Sequence, residues 1–161
     1  MKIIEDAAIK IRTVLQTNLP AKLDTIDTER GDGIVLDDIA FFSITSYQLN
    51  EYFPRPAMFI LGENTPFLEI STVGGKRKRM TYIMDLTVVV EDNDEERLQK
   101  KLWRYADGVE RVLEADRRLG GTVHSIIIKD LLITSRGFTT SSAPTRAISL
   151  LAEIQQDYTI D

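Results

Sequence analysis

The sequence predicts an α+β fold, a mainly antiparallel β-sheet with two α-helices packed on one of its faces. Apolar residues recur at helical spacing near the start of the chain and again over residues 94–117. Apolar and polar residues alternate over residues 80–91 and 146–160, as they do in half-buried strands. The resulting order of helix, short strands, long strand, helix and two long strands is that of an α+β domain.

The length and amino-acid composition limit the classes of protein to which the chain can belong. A chain of 161 residues suits one domain, so residues 1–161 are interpreted as a single domain. The sequence has no cysteine, which excludes disulfides, thiolate metal sites and a cysteine nucleophile. The net charge of −5 disfavours general nucleic-acid binding, although a local basic patch can still contact phosphates.

Neither a membrane span nor a secretion signal is expected. No apolar run approaches the roughly 20 residues that cross a bilayer. Glu5 and Asp6 would interrupt the apolar core of an N-terminal signal peptide.

The first helix is predicted over residues 3–18. Its apolar stripe consists of Ile4, Ala8, Ile11 and Leu15. Because Pro20 disfavours a helical conformation in the residue before it, the helix is expected to end ahead of this proline. Residues 21–53 show no clean period and are interpreted as an irregular, insert-like region.

The middle of the chain predicts strands. Residues 57–62 indicate a short buried strand, and the apolar residues Phe67, Leu68 and Ile70 a second extended piece. Residues 73–79 are interpreted as a loop or hairpin tip leading into the strand over residues 80–91. The predicted core face of that strand comprises Met80, Tyr82, Met84, Leu86, Val88 and Val90.

The last part of the chain predicts a helix and two strands. The helix over residues 94–117 begins with capping acids and is expected to stop in a left-handed turn at Gly120 and Gly121. Residues 122–135 form a predicted strand with two partly apolar faces, and residues 146–160 a final strand. A strand with two apolar faces is either covered twice or part of an interface.

Four features carry a family resemblance. They are a first helix ending in Asn18-Leu19-Pro20, the Pro-flanked strand PRPAMFILGE, a glycine- and charge-bearing loop before MTYIMDLTVVVED, and the helix EERLQKKLWRYADGVERVLEADRRLGG followed by two long strands. In this order they resemble the tail terminator (tail completion) proteins of long-tailed bacteriophages and prophages. The resemblance is clearest over residues 54–155, and residues 21–53 depart from it.

This resemblance implies a structural role rather than a reaction. Such proteins form a ring, commonly a hexamer, that stops polymerisation of the tail tube and offers the surface to which the DNA-filled head attaches. The implied partners are further copies of the chain, the tail tube protein and a head-completion or connector protein, with DNA only as passing cargo and no membrane. The implied location is the head-proximal end of the tail in the virion, and the host cytoplasm during assembly. Two alternatives stay open: another head–tail connector or neck protein, and a small non-phage enzyme or binding domain of α+β type.

One dense basic run occurs in the chain, Lys76, Arg77, Lys78 and Arg79. As a functional feature it is a candidate partner-docking loop, placed against an acidic face of the tail tube or against passing DNA. A strong grip on DNA would oppose its sliding, which favours protein docking. The alternative is a solvated hairpin tip whose charges limit self-association, as is usual for short charge runs in loops.

A ring needs a head-to-tail contact that closes by rotation. The strand over residues 122–135 is a candidate for it, and the strand over residues 80–91 is an alternative. Trp103 lies just off the apolar stripe of its helix, is predicted to be half-buried, and is a further candidate. The interface residues expected to point one way are Val123, Ile127, Leu131 and Ile133.

The sequence offers no catalytic constellation. The sole histidine, His124, has no nucleophile motif beside it, and no serine lies in a G-x-S-x-G turn. The phosphate-binding G-x-x-x-x-G-K-[ST] and zinc-binding H-E-x-x-H patterns do not occur. The acidic residues 91–96 lack the glycine turn and distal glutamate of a calcium loop and are interpreted as a helix cap. We therefore predict no enzyme activity, no catalytic or cofactor-binding residues, and no metal or other cofactor.

Overall fold

The computed structural model describes residues 2–45, 53–60, 68–133 and 143–160, which form two helices and six strands. The elements are α1 (Lys2–Arg30), β1 (Phe41–Ser43), β2 (Ala57–Ile60), β3 (Leu68–Gly74), β4 (Arg77–Glu91), α2 (Glu95–Ala115), β5 (Ser125–Ile133) and β6 (Thr145–Thr159). The predicted strand that includes Phe67 is therefore confirmed from Leu68 onward. Residues 61, 62, 67, 134 and 135 of the predicted strands lie outside the described residues.

The strands form one mixed, mostly antiparallel sheet in the order β1-β2-β4-β6-β5. β6 pairs with β4 along its whole length, so it occupies one edge of that strand. β2 and β3 share the other edge, β2 at the C-terminal end of β4 and β3 at its N-terminal end. Among the described strands, β1 and β2 form the one parallel pair. The predicted α+β fold is confirmed.

Both helices cover the same face of the sheet. One continuous core joins the apolar residues of α1 and α2 to alternate residues of β4 and β6. The predicted core face of β4 is buried in full, and β6 contributes Ile148, Leu150, Ala152 and Ile154. The period-2 pattern therefore identified the face of these two strands that the helices cover.

The predicted end of α1 before Pro20 is wrong, because the helix continues to Arg30. Pro20 removes the hydrogen bond to the carbonyl of Gln16, and an interior proline costs a helix about 3 kcal/mol. Leu19, Leu23 and Ile26 continue the apolar stripe and are almost completely buried. Burying three such side chains contributes roughly 5–9 kcal/mol, which outweighs the proline.

The segment after α1 is also more ordered than predicted. Asp32 accepts a hydrogen bond from Arg104 Nη1 at 3.0 Å and forms an ion pair with the same guanidinium. The Tyr105 hydroxyl donates to the backbone oxygen of Asp37 at 2.6 Å. These contacts attach the chain between α1 and β1 to α2. The prediction of an irregular region over residues 21–53 is therefore wrong for residues 21–30, which belong to α1, and for residues 41–43, which form β1, whereas residues 31–40 form neither helix nor strand.

The predicted cap of α2 is confirmed. Asp94 is the N-cap and its carboxylate accepts from Arg97 N at 2.8 Å. At the other end the prediction is wrong: the helix stops at Ala115, not at residue 117 beside the glycines. Asp116 accepts from Gly120 N at 2.7 Å, and the left-handed Gly120 and Gly121 belong to the short 3-10 turn that follows.

β5 departs from the predicted pattern of faces. Its pairing with β6 skips one residue between Ile128 and Asp130, which is a β-bulge. Ile127 pairs with Glu153 on the face away from the helices, whereas Leu131 and Ile133 pair with core-face residues of β6. Val123 precedes the strand and is buried in the core. The prediction that these four side chains point one way is therefore wrong.

Candidate functional site

The basic run lies at the tip of the β3–β4 hairpin. The predicted hairpin is confirmed, but its turn is shorter than expected: β3 ends at Gly74 and β4 begins at Arg77. Lys76 is exposed in the turn, and the next three cations lie in the strand itself. Because successive residues of a strand point to opposite faces, Arg77 and Arg79 share one face and Lys78 occupies the other.

Asp157 on β6 holds the two arginines of this face. Its carboxylate accepts from Arg77 Nη2 at 2.6 Å and from Arg79 Nε at 2.7 Å. These contacts, that of Arg79 first, lower the pKa of Asp157 to about 2 in spite of its partial burial. Two guanidinium groups share one carboxylate, so the site keeps a net positive charge.

A second basic segment converges on the same end of the sheet. Arg118 and His124, from the connection between α2 and β5, line a cleft of about 120 Å³ together with Arg77 and Asp157. Within the described part of the chain, no ion pair engages the side chains of Lys76 and Arg118. We call this surface the basic end; it comprises Lys76, Arg77, Lys78, Arg79, Arg118 and His124.

Exposed apolar side chains mark the edge of the sheet formed by β5. Ile127, Leu131, Leu132 and Ile133 are each between 39% and 52% exposed. No described strand pairs with the outer edge of β5, which leaves its outward backbone groups available. The sequence prediction thus placed three of its four strand residues on an exposed surface, and Val123 does not belong to it.

The opposite edge carries a second apolar surface that sequence analysis missed. On β3, Ile70 is 53% and Val73 is 45% exposed. Within the described residues β3 pairs with β4 alone, so its other edge is open as well. The sequence holds no signal for this, because only the sheet order shows that β3 is an edge strand.

The prediction that Trp103 is half-buried is wrong, since its side chain is 56% exposed on the outer surface of α2. It lines a cleft of about 250 Å³ with Arg30, Lys100, Arg104 and Asp107. Lys100 and Asp107 lie three residues before and four residues after Trp103 on α2, so the tryptophan shares their charged side of the helix and lies off the apolar stripe.

A larger cleft of about 380 Å³ lies beside the proline of α1. Leu19, Leu23, Ile39 and Phe42 line it together with Asp38, its one carboxylate. Chemistry on a substrate needs a base, acid or nucleophile placed within reach of one another, and this lining supplies a single such group.

The acidic residues 91–96 include a carboxylate with a structural role. Asp92 is nearly buried and accepts from Arg97 Nε at 2.7 Å, with Lys101 Nζ 2.9 Å away. The Arg97 hydrogen bonds are the main cause of an Asp92 pKa well below its usual range. Arg55 donates to Glu91 at 2.6 Å and to Thr145 at 3.0 Å, and so braces the chain before β2.

Within the residues that the structure covers, no three histidine or carboxylate side chains are grouped as a metal site would require. Neither α1 nor α2 is long and apolar enough to cross a membrane. No protein-family model matches the chain, and no curated protein matches it at a significant level of sequence similarity.

Proposed function

We propose that this chain is a structural assembly protein, a tail terminator that caps a phage tail tube as a ring, ends tube polymerisation and provides the surface for head joining. One observation carries the proposal. Within the residues that the structure describes, β5 and β3 each have one edge without a neighbouring strand, and both carry exposed apolar side chains. The resemblance of the sequence to the terminator family supplies the biological setting.

Two different edges suit a ring better than a dimer. A closed ring of more than two copies needs head-to-tail contacts, in which one surface of each subunit meets a different surface of the next. A two-fold dimer uses the same surface twice and leaves the second apolar edge in water. Exposure of both edges in the single chain therefore favours cyclic assembly.

The basic end supplies a surface for a further partner. Arg77 and Arg79 share the carboxylate of Asp157, and Lys76, Lys78 and Arg118 lie at the same end of the sheet, in a chain whose net charge is −5. Such concentration of charge favours a partner of opposite sign and speeds the encounter with it. We assign this surface to docking on an acidic face of the tail tube.

Electron microscopy of mixtures with purified tails and filled heads tests this function. A terminator caps the ends of uncapped tails, and we expect rings at those ends. A neck or connector protein would instead bind filled heads, and that result would replace the proposal with its nearest alternative. Binding to neither would exclude both roles.

A charge-matched pair of variants tests the docking surface. Lys76→Ser/Arg118→Ser removes two cations from the basic end, and we expect fewer capped tails, with the loss largest at low salt, where the charges are least screened. Lys22→Ser/Arg30→Ser removes two cations from the C-terminal half of α1, outside the basic end, and serves as the control. Equal capping by both variants would show that the basic end does not take part in docking.

A further inference from the structure

We propose that the outer edge of β5 pairs in antiparallel fashion with the outer edge of β3 of a second copy, so that neighbouring sheets join into one. The pairing rests on the proposed ring and names the two strands that close it. It requires both strands to be open, oppositely directed, similar in length and matched in polarity. The described residues meet each condition.

Strand direction is the first condition. β3 and β6 are both antiparallel to β4, and β5 is antiparallel to β6. β5 therefore runs in the same direction as β4 and opposite to β3. A second copy that lies beside β5 with its sheet in the same orientation presents β3 as an antiparallel neighbour, the arrangement in which strand pairing is slightly stronger.

Length and polarity are the next conditions. β3 has seven residues and β5 has nine, so the two edges are similar in length. The contact would cover Ile70 and Val73, the exposed apolar side chains among the described side chains of β3. It would also cover the consecutive apolar residues Leu131, Leu132 and Ile133 after the bulge of β5.

The charges of β5 indicate which half of the strand pairs. Open edges are commonly protected by charged residues and bulges, and on β5 Lys129 and Asp130 stand at the bulge. Lys129 lies 3.9 Å from Glu153 on β6, a loose pair. Three apolar residues follow without any charge, so Leu131–Ile133 is the unprotected segment and the centre of the proposed pairing.

β1, the other strand on that side of the sheet, fits less well. It has three residues and pairs in parallel with β2. Its one exposed apolar side chain, Phe41, already stacks on Phe53, with ring centroids 6.4 Å apart. β1 therefore offers a shorter edge whose aromatic residue is engaged within its own chain.

The absence of cysteine from the sequence permits a clean cross-linking test. Leu132→Cys is placed on β5, and Ile70→Cys, Thr72→Cys and Val73→Cys are placed singly on β3, because disulfides form only at Cα separations of about 4.4–6.8 Å. Each β3 variant is mixed with the β5 variant under mild oxidation and analysed on a non-reducing gel. Trp103→Cys, exposed on α2 away from both edges, is the control.

We expect a cross-linked dimer in at least one mixture and several-fold less in any single variant. A chain carrying both matching substitutions should give a ladder that ends at the size of the closed ring. Cross-linking of Leu132→Cys alone would show a two-fold contact between β5 strands and overturn the inference.

Light scattering on the same samples separates this inference from the proposed function. A closed oligomer without cross-links in any mixture would overturn the strand pairing and leave the ring intact. A monomer in every sample would contradict the ring itself. Cross-linking equal to that of the Trp103→Cys control would indicate random collision and would also overturn the pairing.

Discussion

Arg79 on β4 and Asp157 on β6 are direct partners across the sheet and meet in a two-point contact. Arg79 Nε lies 2.7 Å from Oδ1 of Asp157, and Nη2 lies 3.1 Å from Oδ2. Such a bidentate pair fixes the guanidinium in the plane of the carboxylate. Because Arg77 also binds this carboxylate, Asp157 positions the strand part of the basic end.

Acid sensitivity is the first prediction. The pKa of Asp157 is lowered to about 2 in the folded chain, against about 3.9 in an unfolded one. Its contribution to the free energy of unfolding is therefore present above pH 4, approximately, and is lost as the pH falls towards 2. Asp157→Asn should lower the free energy of unfolding at pH 7. Between pH 4 and pH 2 the free energy of unfolding of this variant, measured by urea denaturation, should also fall less than that of the parent chain. Glu95→Gln, an exposed acid with no ion pair among the described residues, should behave as the parent chain; identical pH dependence in both variants would contradict the assignment.

The close approach of α1 and α2 gives the second prediction. A β-carbon added to Gly108 would lie 3.0 Å from Leu23 Cδ2 and 3.2 Å from Leu19 Cδ1. Gly108→Leu should therefore lower the free energy of unfolding by about 1–3 kcal/mol or more, since overpacking forces the helices apart. Ala115→Leu adds the same side chain at an exposed position of α2 and should change stability little. Thermal denaturation checks both, and equal melting temperatures would contradict the packing.

The proline inside α1 gives the third prediction. Pro20→Ala restores an amide that can donate to the carbonyl of Gln16, so the free energy of unfolding should rise by about 1–3 kcal/mol after the lost rigidity of proline in the unfolded chain is deducted. Pro54→Ala, at an exposed position outside the helix, provides the comparison. A destabilised Pro20→Ala chain would indicate that the ring of the proline is itself needed in the cleft beside β1.

Trp103 fluorescence gives the fourth prediction and separates two candidate surfaces. From the sequence this residue is a candidate for the oligomer contact, whereas the proposed ring closes through β5 and β3. As the only tryptophan of the chain, it reports its own surroundings. If the edges alone close the ring, its emission maximum and its quenching by acrylamide should not change on assembly. A blue shift on assembly would return Trp103 to the interface and contradict closure by the edges alone.

The sequence predicted the parts of the fold in which a local pattern and a buried face coincide. The alternate residues from Met80 to Val90 and the apolar stripe of α2 all lie in the core. Prediction failed where packing between distant parts of the chain, and not a local sequence pattern, decided the conformation. Pro20 stands within α1 because Leu23 and Ile26, further along the chain, are buried against the rest of the core.

The candidate surfaces were predictable to a smaller extent. The basic run can be recognised in the sequence, but only the folded structure shows that Arg118 lies near Arg77. The bulge after Ile128 reverses the faces of β5, and a skipped residue leaves no trace in a period-2 pattern. The edge position of Ile70 depends on the order of strands, which no local pattern encodes.

The mass of the protein in solution tests the ring most directly. Multi-angle light scattering should be measured over a range of concentrations for the parent chain and for Leu132→Glu, which places a charge in the centre of the proposed contact. We predict a closed species whose mass reaches a plateau, about 110 kDa for six copies of the 18.3 kDa chain, and its loss in Leu132→Glu. A monomer at every concentration, or a mass that grows without a plateau, would contradict the account.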